Sequence, residues 1–293
     1  MVVVVRRHEL SDAEWAVLTR LLPESGTAGR PRVDDRVVLN GIVWKLRTGC
    51  AWRDVPERYG SWQTLYTRFR RWALDGTFSR MLRAVQAERD AAGDIEWLVS
   101  VDSTIVRAHQ HAAGGKRGPS TGTKRPDHAL GRSRGGLSTK IHLACDGRGR
   151  PLGFVLSGGN TNDSTRFEAV MADVQVPRLG PGRPRTRPDH LIADKGYSSR
   201  KIRCYLRQRG IAHTIPERID QATGRLRRGS RGGRPPGFNG RIYRKRNVVE
   251  RCFQKLKQWR GLATRYDKTR ESYQATVTIA SLLLWIRPFE DDL

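Results

Sequence analysis

The sequence predicts an α/β chain, a helical stretch first and a mixed sheet after it. Three observations carry that expectation. Up to about residue 92 apolar side chains recur at helical spacing between Gly/Pro breaks; from Gly93 short apolar runs bounded by turn residues take over; towards the C-terminus such runs alternate with helical patterns. With 293 residues the chain can hold a small unit and a larger one, expected at 1–92 and 93–293.

Ser11-Asp-Ala-Glu14 is a capping box, so it opens the first helix, which must stop before Pro23. The second spans about 33–47, with Leu39, Ile42, Val43 and Leu46 at i, i+3, i+4 and i+7, and ends at Gly49. After a turn over 51–56, Ser61 starts a helix with Trp62, Leu65, Tyr66, Phe69 and Trp72 on one face and Arg68, Arg70 and Arg71 off it. Helix, brief connector and basic helix is the layout of a helix-turn-helix reader of DNA, and a plain helical bundle uses the same apolar pattern. The charge of the chain favours the reader, which makes those three arginines candidate DNA contacts.

The sheet is read next. A run over 97–101 ends at Asp102, and 139–145 and 152–156 continue a meander across a basic loop at 112–136. A helix over 165–173 follows, then a strand over 190–193 ending at Asp194, a helix over 199–209, a strand over 211–215, and a last helix with Tyr273, Val277, Ala280 and Leu284 on one face. Three strands, helix, strand, helix, strand, helix is the order of a ribonuclease H-like mixed sheet.

Lys and Arg number 55 against 29 Asp and Glu, a net charge of +26 and a pI near 11.1. Such an excess calls for a polyanion, which for a globular chain means nucleic acid. Basic residues crowd a second Gly/Pro-rich loop at 217–241, and between Arg218 and Arg246 Asp220 is the only acid. Cys50, Cys145, Cys204 and Cys252 form no C-x-x-C pair and are expected as reduced thiols. The first residues lack a signal-peptide core and no run reaches membrane-spanning length, so the expected place is the cytoplasm, with no membrane.

From Tyr243, Arg246, Glu250 and Lys257 stand at offsets of three, seven and fourteen, within roughly 60° of one another on a helix at about 100° per residue. A carboxylate flanked by fixed cations suits a site that holds a metal and grips phosphate, while a solvated helix laced with charge pairs would look alike. Asp102 and Asp194, each directly after an apolar strand, stand where open sheets place functional acids. With Glu250 they can hold two magnesium or manganese ions about 3.5 to 4 Å apart, and oxygen-only ligands argue against zinc.

Asp102-Ser-Thr, Asp194-Lys-Gly-Tyr197 and Tyr243-x2-Arg246-x3-Glu250-x6-Lys257 resemble the signatures of the DDE transposases of bacterial insertion sequences, the group with a Y-R-E-K pattern around its last acid. Gly131 to Lys140 and the Trp-Arg-rich run from Trp52 to Trp72 extend the likeness over nearly the whole chain. The resemblance implies a ribonuclease H-like core, divalent metal on Asp102, Asp194 and Glu250, and phosphate contacts from Tyr243, Arg246 and Lys257. It implies cleavage of double-stranded DNA at terminal inverted repeats, transfer of the 3′-hydroxyl ends into target DNA, a homodimer on paired ends, and a place on the bacterial nucleoid. The alternatives are a nuclease of this fold that cuts without joining and a DNA-binding regulator derived from a transposase.

Other polar residues take plainer expectations. Asp146 before Gly147 reads as a hairpin-turn acid and Asp163 as a helix cap. His109 and His111 lack further ligands for zinc. Trp259 is in phase with Cys252 and Val248 and is expected in the core.

Overall fold

The computed structural model describes residues 6–24, 32–113, 128–133 and 135–287. Its first helices follow the sequence signals closely. Helix α1 (Asp12–Thr19) carries the Ser11–Glu14 capping box with both reciprocal bonds made. Helix α2 (Asp35–Thr48) is capped by the Asp34 carboxylate and ends at Gly49, whose left-handed φ of 71° suits a residue without a Cβ. Helix α3 (Trp62–Leu74) starts at the Ser61 cap and buries Leu65, Phe69 and Trp72. Helix α4 (Thr77–Ala91) follows and lies along α12 (Arg270–Ile286), which is buried nearly all round.

These helices share one continuous apolar core with the sheet. Buried Gln86 of α4 donates from Nε2 to the Pro151 and Leu152 carbonyls at 3.0 and 3.2 Å, and Trp285 Nε1 of α12 donates to the Pro151 carbonyl at 2.7 Å. An unmet buried amide is costly, so these bonds pin the helices to one sheet edge.

Strand β1 (Leu98–Ala108) pairs antiparallel with β3 (Gly136–Cys145), which pairs antiparallel with β4 (Pro151–Gly158). On its other side β1 runs parallel to β5 (His190–Ala193), and β5 to β6 (Ala212–Thr214). The order β4-β3-β1-β5-β6, three antiparallel strands continued by two parallel ones, is the ribonuclease H-like arrangement expected. Strand β2 (Gly131–Ser133) pairs antiparallel with the start of β3, and β7 (Thr264–Arg265) pairs parallel with the end of β1. Helices α5 (Gln110–Ala113), α6 (Phe167–Asp173) and α7 (Arg200–Gln208) complete the connections up to β6.

Three expectations need correction. Strand β1 does not end at Asp102: it continues through Ala108, because Ser103 to Arg107 keep pairing with β3. The alternation of Thr104, Val106 and Ala108 was a continuing strand signal beyond the acid. The basic segment 217–241 is not a plain loop; it holds α8 (Ile219–Arg227), and α9 (Gly240–Arg244) begins inside it. Residues 243–257 do not make one helix. α9 and α10 (Asn247–Lys257) are joined by tight i to i+3 bonds, Arg246 N to Tyr243 O at 2.9 Å and Val249 N to Arg246 O at 3.1 Å. No side chain of α9 is buried, and the first apolar anchor is Val248, so no apolar packing keeps 244–246 in a regular helix, while Lys245 and Arg246 are drawn to Glu96 and Asp102 at 3.5 and 2.6 Å. Most of the expected loop at 112–136 lies outside the described residues. No helix among those described is long and apolar enough to cross a membrane.

Candidate active site

Parallel pairing of β1 with β5 matches Val101 to Ala193, so the next residues, Asp102 and Asp194, stand side by side on neighbouring strands. Asp102 is in mid-strand, its Oδ1 accepting from the Ser103 amide at 2.8 Å. Asp194 leaves β5, and its Oδ1 accepts from the Gly196 amide at 2.8 Å. Helix α10 packs on β1 and β3 with Val248, Val249, Cys252, Phe253 and Leu256 buried, and carries Glu250 in its first turn. Gly149, at φ 83°, lets the β3–β4 hairpin support it: a Cβ there would stand 3.2 Å from Val248 Cγ2.

Arg246 ties the two sides together. Its Nη1 donates to Asp102 Oδ2 at 2.6 Å and its Nη2 to Glu250 Oε1 at 3.1 Å. Burial pulls this guanidinium down, and the charges of Asp102, Tyr243 and Glu250 with the bond to Asp102 carry it above its ordinary value. Asp102 nevertheless goes up, to about 6. Burial is the main cause, Asp194 and Glu250 add to it, and the Ser103 amide and Arg246 oppose it. Asp194 and Glu250 are thus within electrostatic reach of Asp102, and Arg246 bonds two of the three acids.

Carboxylate oxygens are the donors that hard divalent cations fit. As they stand, no three His, Cys, Asp or Glu side chains among the described residues form a ready metal cluster, and Arg246 spans Asp102 and Glu250. The donors suit such ions in kind, and the guanidinium holds two of them.

The other expected contacts divide. Lys257 Nζ donates to Thr104 Oγ1 at 2.7 Å, beside the acids; burial lowers its pKa and Glu250 opposes that. Tyr243 is half-buried on α9, its ring 5.3 Å from Phe238, within electrostatic reach of Arg246. On α3, Arg68 is buried in an ion pair with Asp35, and Arg70 Nη1 donates to the Thr269 and Ser272 hydroxyls at 3.1 Å each. Arg71 alone of the three is exposed.

Among the remaining polar residues, Asp146 is the buried turn acid expected, with Arg150 Nε on its Oδ2 at 2.9 Å. Asp163 is not the cap, because Asn162 takes that role, freeing Asp163 to meet Lys140 Nζ at 2.9 Å. His109 stacks on His111 and Tyr266 at 4.4 and 5.0 Å, and Trp259 is buried. Two neighbours of the acids had been given no role from the sequence, Thr104 under Lys257 and Tyr197. Tyr197 is buried, and its pKa rises through burial and through Asp102, Asp163 and Asp194. Both sit inside the motifs that carry the acids, which was the available signal.

The transposase DDE domain family matches residues 94–285, and a family described as "Putative transposase of IS4/5 family" matches 10–82. Protein y4sN of Sinorhizobium fredii, described as uncharacterized, is 42% identical over 110 residues, 37% of this chain and 83% of that one. A transposase described for insertion sequence element IS402 of Burkholderia cepacia is 31% identical over 166 residues, 57% of this chain and 68% of its own. One described for IS6501 of Brucella ovis is 26% identical over 151 residues, 52% of this chain and 100% of its own.

Proposed function

We propose, from the premise that this chain belongs to the transposase DDE domain family, that Asp102, Asp194 and Glu250 are the catalytic acids of an insertion-sequence transposase. The enzyme class, a polynucleotidyl transferase acting on DNA, follows from the family; the assignment of residues is our reading. One observation supports it above the rest: the register of Val101 with Ala193 sets Asp102 beside Asp194, and one guanidinium, Arg246, bonds both Asp102 and Glu250. Magnesium or manganese, as one ion or a pair on these oxygens, would supply Lewis-acid activation of the attacking and leaving oxygens.

The chain's own groups do the rest. The Arg246 fork, now on two carboxylates, has the planar geometry that grips two phosphate oxygens, and it exchanges acids for DNA when the end enters. Lys257, positioned by Thr104, adds a point charge on the same side, and Tyr243 borders the fork. Water attacks at the terminal inverted repeat to free a 3′-hydroxyl, which then attacks target DNA. Sequence reading falls to the outer face of α3, where Gln63, Thr67 and Arg71 are exposed at successive turns. A homodimer gives each of two paired ends an active site.

The test is an end-labelled duplex carrying the element terminus, incubated with the full chain, target DNA and magnesium or manganese. Asp102→Asn, Asp194→Asn and Glu250→Gln should each lower cleavage and joining about 10³-fold or more, with pairs of changes adding little. Near-normal joining by any one of them removes that residue from the set. Cleaved but never joined DNA from the wild type would favour the nuclease reading.

A further inference from the structure

A second concentration of charge lies where the C-terminal end of α2 packs on α11 (Arg260–Ala263) and Arg287, after α12, reaches α1. Arg47 comes from the last turn of α2, Arg260 opens α11, Arg287 follows α12, and Arg7 and His8 precede α1. The backbones are locked together: a Cβ on Gly261 would stand 2.9 Å from the Leu46 carbonyl oxygen, and one on Gly49 would stand 3.0 Å from Arg260 Cβ. Arg47 and Arg260 are therefore carried on elements that cannot drift apart.

The arginines are poorly matched by acids. The Arg47 guanidinium lies 4.0 Å from the centre of the Trp259 ring, and its Nε is buried without a hydrogen-bond partner among the described residues. Burial and Arg287 lower it to about 10, and Glu14 opposes them. Glu14 is already engaged, by Arg287 Nε at 2.6 Å and by the Ser11 amide at 2.8 Å. His8, at a φ of 73° that is uncommon outside glycine, is lowered by burial and then by four guanidiniums, Arg7, Arg47, Arg287 and Arg260. A fixed cluster of like charge with an unmet buried donor is unfavourable unless an anion shares it.

We propose that Arg47, Arg260, Arg287 and His8 form a phosphodiester-binding site for the backbone of the DNA held by the catalytic cleft. The inference rests on the reading that α10 lies along that DNA. From Glu250 to Lys257 α10 runs seven residues, about 10 Å at helical rise, or about three phosphates of one strand at about 3.4 Å of axis each. Arg260 follows the extended Trp259, beyond the end of α10. Paired guanidiniums match phosphate oxygens, and the +26 chain is built for a polyanion. The chain's own acids Glu290, Asp291 and Asp292, next in sequence after this helix, are the competing occupant.

The experiment uses the full chain and the labelled element-end duplex. Binding is measured by anisotropy across a salt series, and phosphate contacts are mapped by ethylation interference. Arg260→Gln and Arg287→Gln should each flatten the slope of log affinity against log salt by about 0.9. In the double variant, an ethyl group three or more nucleotides from the cut bond that interferes with wild-type binding should stop interfering. Folded variants that keep both slope and interference pattern overturn the site. So does a loss of thermal stability that needs the tail acids, abolished by Glu290→Gln, Asp291→Asn and Asp292→Asn, with DNA binding untouched. A wild type that neither binds nor cuts the end fails the underlying reading; one that does both while the variants match it fails this site alone.

Discussion

On α3 the arginines next to the apolar face turn inward. Arg68 meets Asp35, which Arg32 also contacts at 2.9 Å, and Arg70 meets two neutral hydroxyls of the α12 terminus. At α10 the comparable cation, Arg246, meets Asp102 and Glu250, and Asp194 stands close enough to add to the Asp102 shift. Both helices are amphipathic with basic flanks. The difference lies in the partners: Arg68 and Arg32 share one largely buried carboxylate, Asp35, so that pair is closed and structural, whereas Arg246 spans two carboxylates from different elements, one of them half exposed, and so sits at an open edge. A cation next to an apolar face does not declare its use; the burial and origin of the acids it meets do.

The largest expected effect tests the open side. Arg246→Lys keeps the charge and loses the fork, so cleavage of the element end should fall by about 10²-fold, as when one aligned donor is removed from a charged transition state. Thermal stability should change little, since half the fork's work is done at the solvent edge, with Glu250 about half exposed at 47%. Cleavage within a few-fold of wild type, in protein shown to be folded, would place Arg246 with the structural arginines and erase the contrast.

The closed side is read as stability. Removing one partner of a buried ion pair costs about 3 to 5 kcal/mol when the other is left bare. Asp35 keeps Arg32, so Arg68→Ala should cost less, about 2 to 3 kcal/mol in a denaturant titration. The salt dependence of DNA binding should stay as it was. A flattened slope with unchanged stability would mean that Arg68 leaves Asp35 for phosphate.

How much of this was legible depended on whether the signal was local. Caps, apolar periodicity and turn residues placed α1, α2, α3 and the succession of strands and helices along the chain, because each is set within a few residues: Ser11 with Glu14, Leu39 to Leu46 at helical spacing, Gly49 at its left-handed φ. The acids were legible through motif spacing, and strand pairing explains their meeting, Val101 with Ala193. What could not be read was long-range pairing. Arg68 with Asp35 is 33 residues apart, Arg70 with Ser272 is 202, and Lys257 with Thr104 is 153. The break between α9 and α10 was hidden for a related reason, since Arg246 is held by Asp102, 144 residues away.

The smallest expected effect belongs to Arg71, and it decides whether α3 touches DNA at all. Unlike Arg68 and Arg70 it is exposed, on the face that also presents Gln63 and Thr67. If that face enters a groove, Arg71→Ala should remove about one phosphate or base contact. A phosphate contact lowers affinity equally for all sequences and flattens the salt slope by about 0.9. A base contact instead lowers the preference for the element end over scrambled DNA, by about 1 to 3 kcal/mol if bidentate. Gln63→Ala and Thr67→Ala should act in the second way only. Anisotropy on both duplexes across a salt series separates these results in the full chain, which is required because α3 is bonded to α12 and shares its core. If Arg71→Ala, Gln63→Ala and Thr67→Ala all leave affinity, preference and slope unchanged, the outer face of α3 is solvent surface, and end recognition lies with the cations around α10 and α11.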